Sequence, residues 1–561
     1  MLLSYFFSFL YIFILSIVIC GWGNLANFQF KIKNFCISEN VILGLFSLGA
    51  ISLFFNFFIS INYILNSSII FLGVFLFFFF NKTKLKKSLI SLLIITVISF
   101  ITITNATIFL PDAAVYHLPY IGILNENKII FGLNNINLRY GQISFFQYIS
   151  AILNIDILGS VGILFPSIFL FSSLVFFFLK DIFEKQNIKS TKIISLFFLL
   201  IILVDMNRYS EFGNDEIGHM IFLYFNFYII KELIFYLNKD KYFLNINKLI
   251  YVALFLFLTK LIYALVIVTL IYIFIVKKIK ITELLNSKAS LVSLMILIAW
   301  LTKNIIVSGC IIYPISFSCV SVEWSNNGFI PESILTEAWA KGYPDQNEIT
   351  NYQDYISNHY IWLKTWLNNH GIFILKKLTV TLSILIFALI VVRSSKIIDK
   401  FETNITYGFL AINFLYILIW FLKFPVYRFG SGYLLLFFIL LIIKFIQLPT
   451  SFDYKKIKIF LSILFVVIII KNVNRIYKNH NIKNKNNNFF ASLPDINKTS
   501  LSDIESQFTY SDTKYCYYSR NVCTSTPKKT LGKIGYKNVL NYKIFYSKNE
   551  KNWWYKVYNL D

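Results

Sequence analysis

The stretch NKTKLKKSLISLLIITVISFITITNATIF, residues 81–109, opens with four lysines and continues as an almost wholly apolar run. A helix needs about 20 apolar residues to cross a bilayer, so residues 88–109 predict a membrane span. Lysine and arginine concentrate in cytoplasmic loops, so residues 81–87 predict a loop on the cytoplasmic side. Residues 111–144, beyond the span, are therefore expected on the outer side.

Runs of this kind recur along the 561-residue chain, which is 57% hydrophobic and only 14% charged. A soluble protein is closer to about half apolar and about a quarter charged. Hydropathy and loop charge together predict an all-α polytopic membrane protein with about 13–14 transmembrane helices. The other apolar runs are residues 2–20, 41–59, 158–179, 249–276, 291–307, 383–392, 407–421 and 457–470.

The loops divide the chain into a membrane domain and a polar tail. Residues 1–470 are predicted to form the membrane domain, and residues 471–561 an extracytoplasmic C-terminal region. The run at residues 249–276 is broken by Lys260, which predicts a short hairpin or two half-helices. In the tail, residues 478–488 are predicted to be a linker, and YKIFYS at residues 542–547 alternates as strands do, which indicates a small α/β unit. The outer loops of the membrane domain are residues 110–156, 206–216, 308–371 and 423–430.

The excess of basic over acidic residues indicates a protein of the membrane rather than one that binds nucleic acid. The net charge is +24, but many lysines flank spans, as the positive-inside trend predicts. Only six of the 52 basic residues are arginine, and Arg139, Arg208 and Arg428 all fall at outer borders, against that trend. A guanidinium binds phosphate through two parallel contacts. The three arginines favour an anionic ligand such as a lipid phosphate, and ordinary loop ion pairing is the alternative.

Acids accompany these arginines in the outer loops. Asp112 begins the first loop, and Asp215 and Glu216 close the second. A carboxylate at a membrane border can act as a general base toward an acceptor hydroxyl. Each of the three is also placed as a helix cap would be, which is the structural alternative.

Two histidines stand near these acids, His117 after Asp112 and His219 after Asp215. A metal site built from the four residues is conceivable, but no compact zinc spacing is present. We therefore expect no cofactor, and we expect Tyr116 and His117 to line a polar pocket.

Four cysteines fall in segments predicted to be extracytoplasmic, where disulfides persist. Cys310 and Cys319 lie in the long outer loop, and Cys516 and Cys523 lie in the tail. Two local bridges are one interpretation, and four free thiols are the other.

Five short motifs stand at the predicted outer borders: PDAAVYHLPY (111–120), GLNNINLRYGQIS (132–144), GNDE (213–216), SGCIIYP (308–314) and FPVYRFGSGY (424–433). Lys303 precedes the fourth of them. Together they resemble the GT-C superfamily of membrane glycosyltransferases, which includes protein O-mannosyltransferases and aminoarabinose transferases. Asp112 has no adjacent acid, whereas many members of the superfamily carry a tight acid pair in this loop.

The resemblance implies a GT-C-like fold and an inverting transfer of sugar from a polyprenyl-phosphate or pyrophosphate donor to a glycan, lipid or protein acceptor. It implies a multi-pass protein of the bacterial inner membrane, in contact with lipid. Asp112 would be the catalytic base, and Trp324, Trp339, Trp362 and Trp366 would stack on sugars or form an interfacial aromatic belt. A lipid-linked sugar flippase or transporter, or an O-antigen-type polysaccharide polymerase or ligase, are the alternatives. The implied substrate-binding residues are Tyr116, His117, Arg139, Arg208, Asp215, Glu216, Lys303 and Arg428.

Overall fold

The architecture was obtained as a computed structural model, and it is mostly helical. Apolar side chains fill the long helices, which satisfy their own backbone hydrogen bonds as a bilayer demands. The structure describes residues 2–30, 36–104, 112–154, 162–184, 189–204, 212–237, 245–343, 352–392, 403–445, 454–482, 501–504, 508–511, 515–524 and 533–548.

The helices over these residues, in chain order, are α1 (Leu2–Phe30), α2 (Ile37–Asn56), α3 (Tyr63–Asn81), α4 (Leu85–Ile103), α5 (Leu118–Glu126), α6 (Phe145–Leu153), α7 (Phe165–Phe183), α8 (Lys189–Val204), α9 (Asn214–Leu237), α10 (Ile246–Thr259), α11 (Val266–Val276), α12 (Ile281–Leu285), α13 (Lys288–Ser308), α14 (Phe329–Ala340), α15 (Tyr352–Ser357), α16 (His359–Trp366), α17 (Ile372–Val392), α18 (Thr403–Lys423), α19 (Tyr427–Phe445) and α20 (Tyr454–Ile482).

Eight stretches of the described residues are long and apolar enough to cross a membrane. Four shorter apolar helices accompany them, so the multi-span helical class is confirmed, while the count of 13–14 spans stays a prediction. The eight stretches are Tyr5–Phe30, Ile37–Asn56, Tyr63–Ile103, Gly162–Phe183, Lys288–Ser308, His359–Val391, Tyr427–Lys444 and Tyr454–Lys478.

Apolar side chains also cover much of the outside of the bundle. Phe71 and Phe75 on α3, Ile390 on α17 and Phe465 on α20 are all strongly exposed. Water does not tolerate apolar surface on this scale, whereas lipid tails do. The chain is therefore a multi-pass membrane protein.

The break at Lys260 separates two helices. α10 ends at Thr259, a 3₁₀ turn covers Leu261–Leu265, and α11 follows. Lys260 itself has an extended backbone, with φ −159° and ψ 135°. The interruption predicted within residues 249–276 is thus present, and it presents a lysine at the tip between two apolar helices.

The C-terminal region contains five short strands and packs against the first loop. β1 (Leu501–Ile504), β2 (Phe508–Ser511) and β3 (Cys523–Thr524) form one sheet, in that order. β4 (Ile534–Val539) and β5 (Tyr542–Ser547) form an antiparallel hairpin.

The strand predicted at residues 542–547 is confirmed as β5. The linker predicted at residues 478–488 is wrong at its start, because α20 continues to Ile482. Beyond α20, the described residues of the tail hold strands and no helix, so the helical part of the predicted α/β unit is not found there.

Candidate functional site

Asp112 stands at the entrance of a widened helical turn. It precedes a π-helical turn at Ala113–His117, which leads directly into α5. Such turns are rare and often occur at functional sites. The Asp112 side chain makes no capping hydrogen bond, so the helix-cap interpretation of this acid is not what the structure shows, and its carboxylate is turned to other partners.

Those partners are two arginines from distant segments. Arg139 lies in the 3₁₀ turn Leu138–Gln142 and donates from Nη1 to Asp112 Oδ1 at 3.2 Å. Arg428 lies at the start of α19 and donates from Nη1 to Asp112 Oδ2 at 3.0 Å. All three side chains are 30–39% exposed. Each carboxylate oxygen thus holds its own guanidinium, in a place that a ligand can reach.

A second acid approaches Arg428 from the first turn of α9. Oδ2 of Asp215 lies 3.9 Å from Nε of Arg428, and Oδ1 forms an ion pair with Lys260. Burial alone would raise the pKa of Asp215, but Lys260 and Arg428 hold that pKa below its ordinary value. Asp215 therefore stays ionised at neutral pH.

A third acid, the buried Glu332 of α14, anchors Arg139. Its Oε1 accepts from Arg139 Nε at 3.0 Å. Three acids and three cations thus alternate in one chain of contacts that runs from α14 to the tip between α10 and α11. We call this set the charge cluster, and its members in order are Glu332, Arg139, Asp112, Arg428, Asp215 and Lys260.

Aromatic rings flank the cations of the charge cluster. The guanidinium of Arg428 lies 4.9 Å from the ring centroids of both Trp339 and Phe429. Arg139 lies 5.5 Å from the ring centroid of Tyr116. Burial raises the pKa of Tyr116, so this phenol stays neutral and can donate a hydrogen bond. The rings leave the guanidinium edges available for planar ligands.

The four tryptophans considered for sugar stacking separate into two groups. Trp339 is 43% exposed and faces Arg428. Trp362 is only 2% exposed, which excludes it from stacking on a ligand. Trp324 donates from Nε1 to the Ile305 carbonyl, and Trp366 donates to the Pro425 carbonyl. Only Trp339 of the four lies at the charge cluster.

The two histidines sit behind the charge cluster. His117 is buried, and its Nδ1 lies 2.5 Å from Nε2 of Gln147. Burial lowers the pKa of His117 to about 4, against the attraction of Asp112 and Asp215, so the ring is neutral at pH 7.

His219 supports Arg428 through the backbone of α19. Its Nε2 lies 2.8 Å from the Arg428 carbonyl oxygen, and its Nδ1 accepts from the Gly432 N–H at 3.3 Å. Because Nδ1 accepts, the proton lies on Nε2, which donates to the carbonyl. A Cβ at Gly432 would come within 2.8 Å of Nδ1, so this contact requires glycine. His219 is therefore a positioning residue for Arg428.

Three further residues predicted for the site are not among the six that make up the charge cluster. Glu216 follows Asp215 in the first turn of α9. Lys303 is fully buried in α13, with Nζ 3.8 Å from the Trp300 ring centroid and no hydrogen-bond partner among the described residues. Arg208 lies outside the described residues. Within the described part of the chain, no group of three or more His, Cys, Asp or Glu side chains could hold a metal ion.

The C-terminal region holds the turn that presents Asp112. The N–H groups of Cys516 and Tyr517 both donate to the Ala114 carbonyl, at 3.1 and 2.9 Å. Tyr140, next to Arg139, donates to the Cys523 carbonyl at 2.7 Å. Cys516 and Cys523 are joined by a disulfide, so one closed loop touches both the Asp112 and the Arg139 segments. We call residues 515–524 the docking loop.

Cys310 and Cys319 form a second disulfide, which closes the start of the long loop after α13. The neighbouring Tyr313 donates to the Leu138 carbonyl at 2.9 Å and so supports the turn that carries Arg139. Both bridges suit an oxidising compartment, which supports placement of these segments outside the cytoplasm.

Sequence reasoning missed three residues of the site, Lys260, Glu332 and Gln147, and it missed the positioning role of His219. Lys260 did give a signal, because it is a lone lysine inside an apolar run, but that signal predicts a helix break and does not identify its partner Asp215. Glu332 and Gln147 gave none, because their partners are 193 and 30 residues away along the chain.

The model of one protein family, described as a domain of unknown function (DUF8201), matches residues 1–435. That range contains the whole charge cluster, and it ends before α20 and the docking loop. No curated protein and no solved structure matches the chain.

Proposed function

Since the chain belongs to the DUF8201 family, whose function is unknown, we propose from its own residues that it is an integral membrane glycosyltransferase. Its donor is a sugar on a polyprenyl phosphate or pyrophosphate, and its acceptor is a hydroxyl of a cell-envelope glycan, lipid or protein at the outer face of a bacterial inner membrane. The observation that carries the proposal is the convergence of Asp112, Arg139 and Arg428 at one open site.

Two guanidinium groups beside a carboxylate suit this reaction. When the acceptor oxygen attacks the anomeric carbon, the bond from that carbon to the phosphate oxygen breaks, and the phosphate leaves with the electron pair. Arg139 and Arg428 stabilise the charge that develops on the departing phosphate. Asp112 takes the acceptor proton as general base. A single displacement from the opposite face inverts the anomeric carbon.

The remaining groups orient the reactants. Neutral Tyr116 hydrogen-bonds a hydroxyl beside the base, and the buried His117 packs against the Tyr116 ring from behind. Asp215 with Lys260 fixes the far side of Arg428. Trp339 offers a half-exposed ring next to Arg428. Either a sugar face or the Arg428 guanidinium can stack on this ring. The isoprenoid tail lies against the apolar surface of the bundle.

A second function, translocation of a lipid-linked sugar, is favoured by charges inside the helices. Lys231 of α9 donates to Asp181 of α7 at 2.6 Å, and Lys248 of α10 pairs with Glu39 of α2, all four side chains buried. Buried intramembrane charges often line the paths of transporters. In each pair the two charges neutralise each other. Both pairs lie far from the charge cluster, because Lys231 and Lys248 stand at the ends of α9 and α10 opposite to Asp215 and Lys260. We therefore rank this function second.

Arg428→Gln tests the proposal in proteoliposomes supplied with polyprenyl-phosphate sugars and envelope acceptors. Removing one donor to a developing oxyanion costs about 100- to 1000-fold in rate, so we expect a loss of about that size. The matched control is Arg520→Gln, because Arg520 is half exposed and lies outside the charge cluster, with Nη1 3.4 Å from Oε1 of Glu126. The rate of this variant should stay within about twofold of wild type.

Two outcomes would contradict the proposal. One is an equal rate for Arg428→Gln and Arg520→Gln. The other is movement of the lipid-linked sugar across the bilayer without any transfer, which would support the translocation function instead.

A further inference from the structure

The arginines that are suited to a phosphate are both occupied by the same carboxylate. Asp112 gives Oδ1 to Arg139 and Oδ2 to Arg428, at 3.2 and 3.0 Å. A phosphate group carries several acceptor oxygens, so two of them can accept from these two guanidinium groups at once. Asp112 therefore holds the position that two oxygens of an anionic ligand would take.

Each arginine is also fixed by contacts that do not involve Asp112. Arg139 has a second hydrogen bond, from Nε to the buried Glu332 at 3.0 Å. Arg428 lies 4.9 Å from the centroids of Trp339 and Phe429. Removal of Asp112 would leave both forks near their present positions, so the anion site does not depend on the acid that fills it.

Arg428 also has donor capacity that the described contacts leave unused. Its Nε is buried without a hydrogen bond, and the nearest acid oxygen, Oδ2 of Asp215, is 3.9 Å away. A guanidinium carries five N–H donors, and the side chain is 34% exposed. An incoming anion can therefore reach the exposed part of the Arg428 fork, although not the buried Nε.

We propose that Asp112 is a built-in occupant of the donor phosphate site, and that the phosphate of the lipid-linked sugar displaces it from Arg139 and Arg428. Binding then does two things at once: the phosphate receives both guanidinium groups, and Asp112 regains free oxygens that can accept a proton. The exchange makes and breaks no covalent bond. It rests on the proposed function for the identity of the ligand and for the use made of the released carboxylate.

The physical consequence is a competition between an acid of the chain and the ligand. Asp112 is present at high effective concentration, so it weakens the observed affinity for any phosphate that needs the same donors. A neutral residue at this position removes the competitor and keeps the forks. An enzyme variant without its base should thus bind the donor lipid more tightly than the wild type.

The test is the affinity of the purified full-length protein for polyprenyl phosphate without sugar, in nanodiscs, with inorganic pyrophosphate as a second probe. A hydrogen bond to a charged group contributes about 1.5–3 kcal/mol, which corresponds to roughly tenfold or more in affinity. We expect Asp112→Asn to bind the lipid probe about tenfold more tightly than wild type, and Arg428→Gln to bind it at least about tenfold more weakly. Tighter binding of the lipid alone would identify the lipid headgroup as the ligand, and equal tightening for pyrophosphate would identify the phosphate group by itself.

Glu126→Gln is the control for a general change in charge. Glu126 is the next acid in the same loop and is exposed in its ion pair with Arg520, so its removal should leave the affinity unchanged. If Asp112→Asn does not remain folded, Asp112→Ser replaces it, with the same expected direction.

Unchanged or weaker binding by the folded Asp112 variants would overturn the exchange. An equal gain in affinity in Glu126→Gln would also overturn the exchange, because the gain would then come from the change in overall charge. Failure of the proposed function is distinguishable: tighter binding by Asp112→Asn, together with no transfer by the wild type from any donor, would leave the exchange standing and remove the glycosyltransferase.

Discussion

Arg428 lies between two acids, Asp112 and Asp215. The first loop has no acid beside Asp112, but Arg428 touches Asp112 at 3.0 Å and lies 3.9 Å from Asp215 of α9. The structure thus assembles two carboxylates around one guanidinium from segments about 100 residues apart. The two arginines therefore fix the orientation of the Asp112 carboxylate.

His117 gives a prediction of how stability depends on pH. Its pKa falls from an ordinary value of 6.5 to about 4 because the ring is buried. Between about pH 4 and pH 6.5, His117 is therefore protonated in the unfolded chain and neutral in the folded chain. Stability contributed by neutral His117 is present above about pH 6.5 and is lost as the pH falls through about 4; the difference amounts to about 3 kcal/mol.

Thermal melting of wild type and His117→Asn from pH 7 to pH 4 measures this contribution. The wild type should lose more stability than the variant over that interval, although the variant is the less stable of the two at pH 7 because its contact with Gln147 changes. Parallel pH profiles for both proteins would show that His117 is not held neutral by burial.

At the scale of elements, the sequence predicts where chemistry gathers but not which elements complete it. The charged residues Asp112, Arg139, Asp215 and Arg428 are predictable because each interrupts or borders an apolar run, where a charge is costly. Glu332 lies on α14, inside a long polar loop, where a single acid is unremarkable, and its importance comes from its contact with Arg139. Trp339 on the same helix is one of four tryptophans considered from the sequence, and only its contact with Arg428 separates it from the other three.

The disulfide of the docking loop gives a prediction about how often this loop opens. Its disulfide closes a loop of Cys516 to Cys523, and a closure of this length contributes about 2–3 kcal/mol. The double variant Cys516→Ser/Cys523→Ser should open the loop more often, so trypsin should cut after Arg520 about tenfold faster or more. Mass spectrometry of timed digests measures the cleavage rate.

The other disulfide provides the control for the docking loop. Cys310→Ser/Cys319→Ser removes the bridge that closes the start of the loop after α13 and leaves the Cys516–Cys523 bridge intact, so the cleavage rate after Arg520 should not change. A wild-type rate in the Cys516→Ser/Cys523→Ser variant would mean that the disulfide does not hold the docking loop on the Ala114 carbonyl.

At the scale of the whole molecule, the charge cluster and the buried ion pairs lie at opposite ends of the same helices. α9 carries Asp215 in its first turn and Lys231 sixteen residues later, about 24 Å along a helix. α10 begins beside Lys248 and ends next to Lys260. The helical, multi-span class is readable from composition and apolar runs alone. The docking of the C-terminal region is not, because its contacts with Ala114 and Tyr140 join residues about 400 positions apart.

Asp112 is the proposed base in sugar transfer from a polyprenyl-phosphate donor. The most direct test is the steady-state transfer rate of purified Asp112→Asn, with Glu126→Gln as the control from the same loop. We predict that kcat falls by about 100-fold or more while the donor KM does not rise, and that Glu126→Gln turns over at the wild-type rate. A kcat for folded Asp112→Asn within about threefold of wild type would contradict the account.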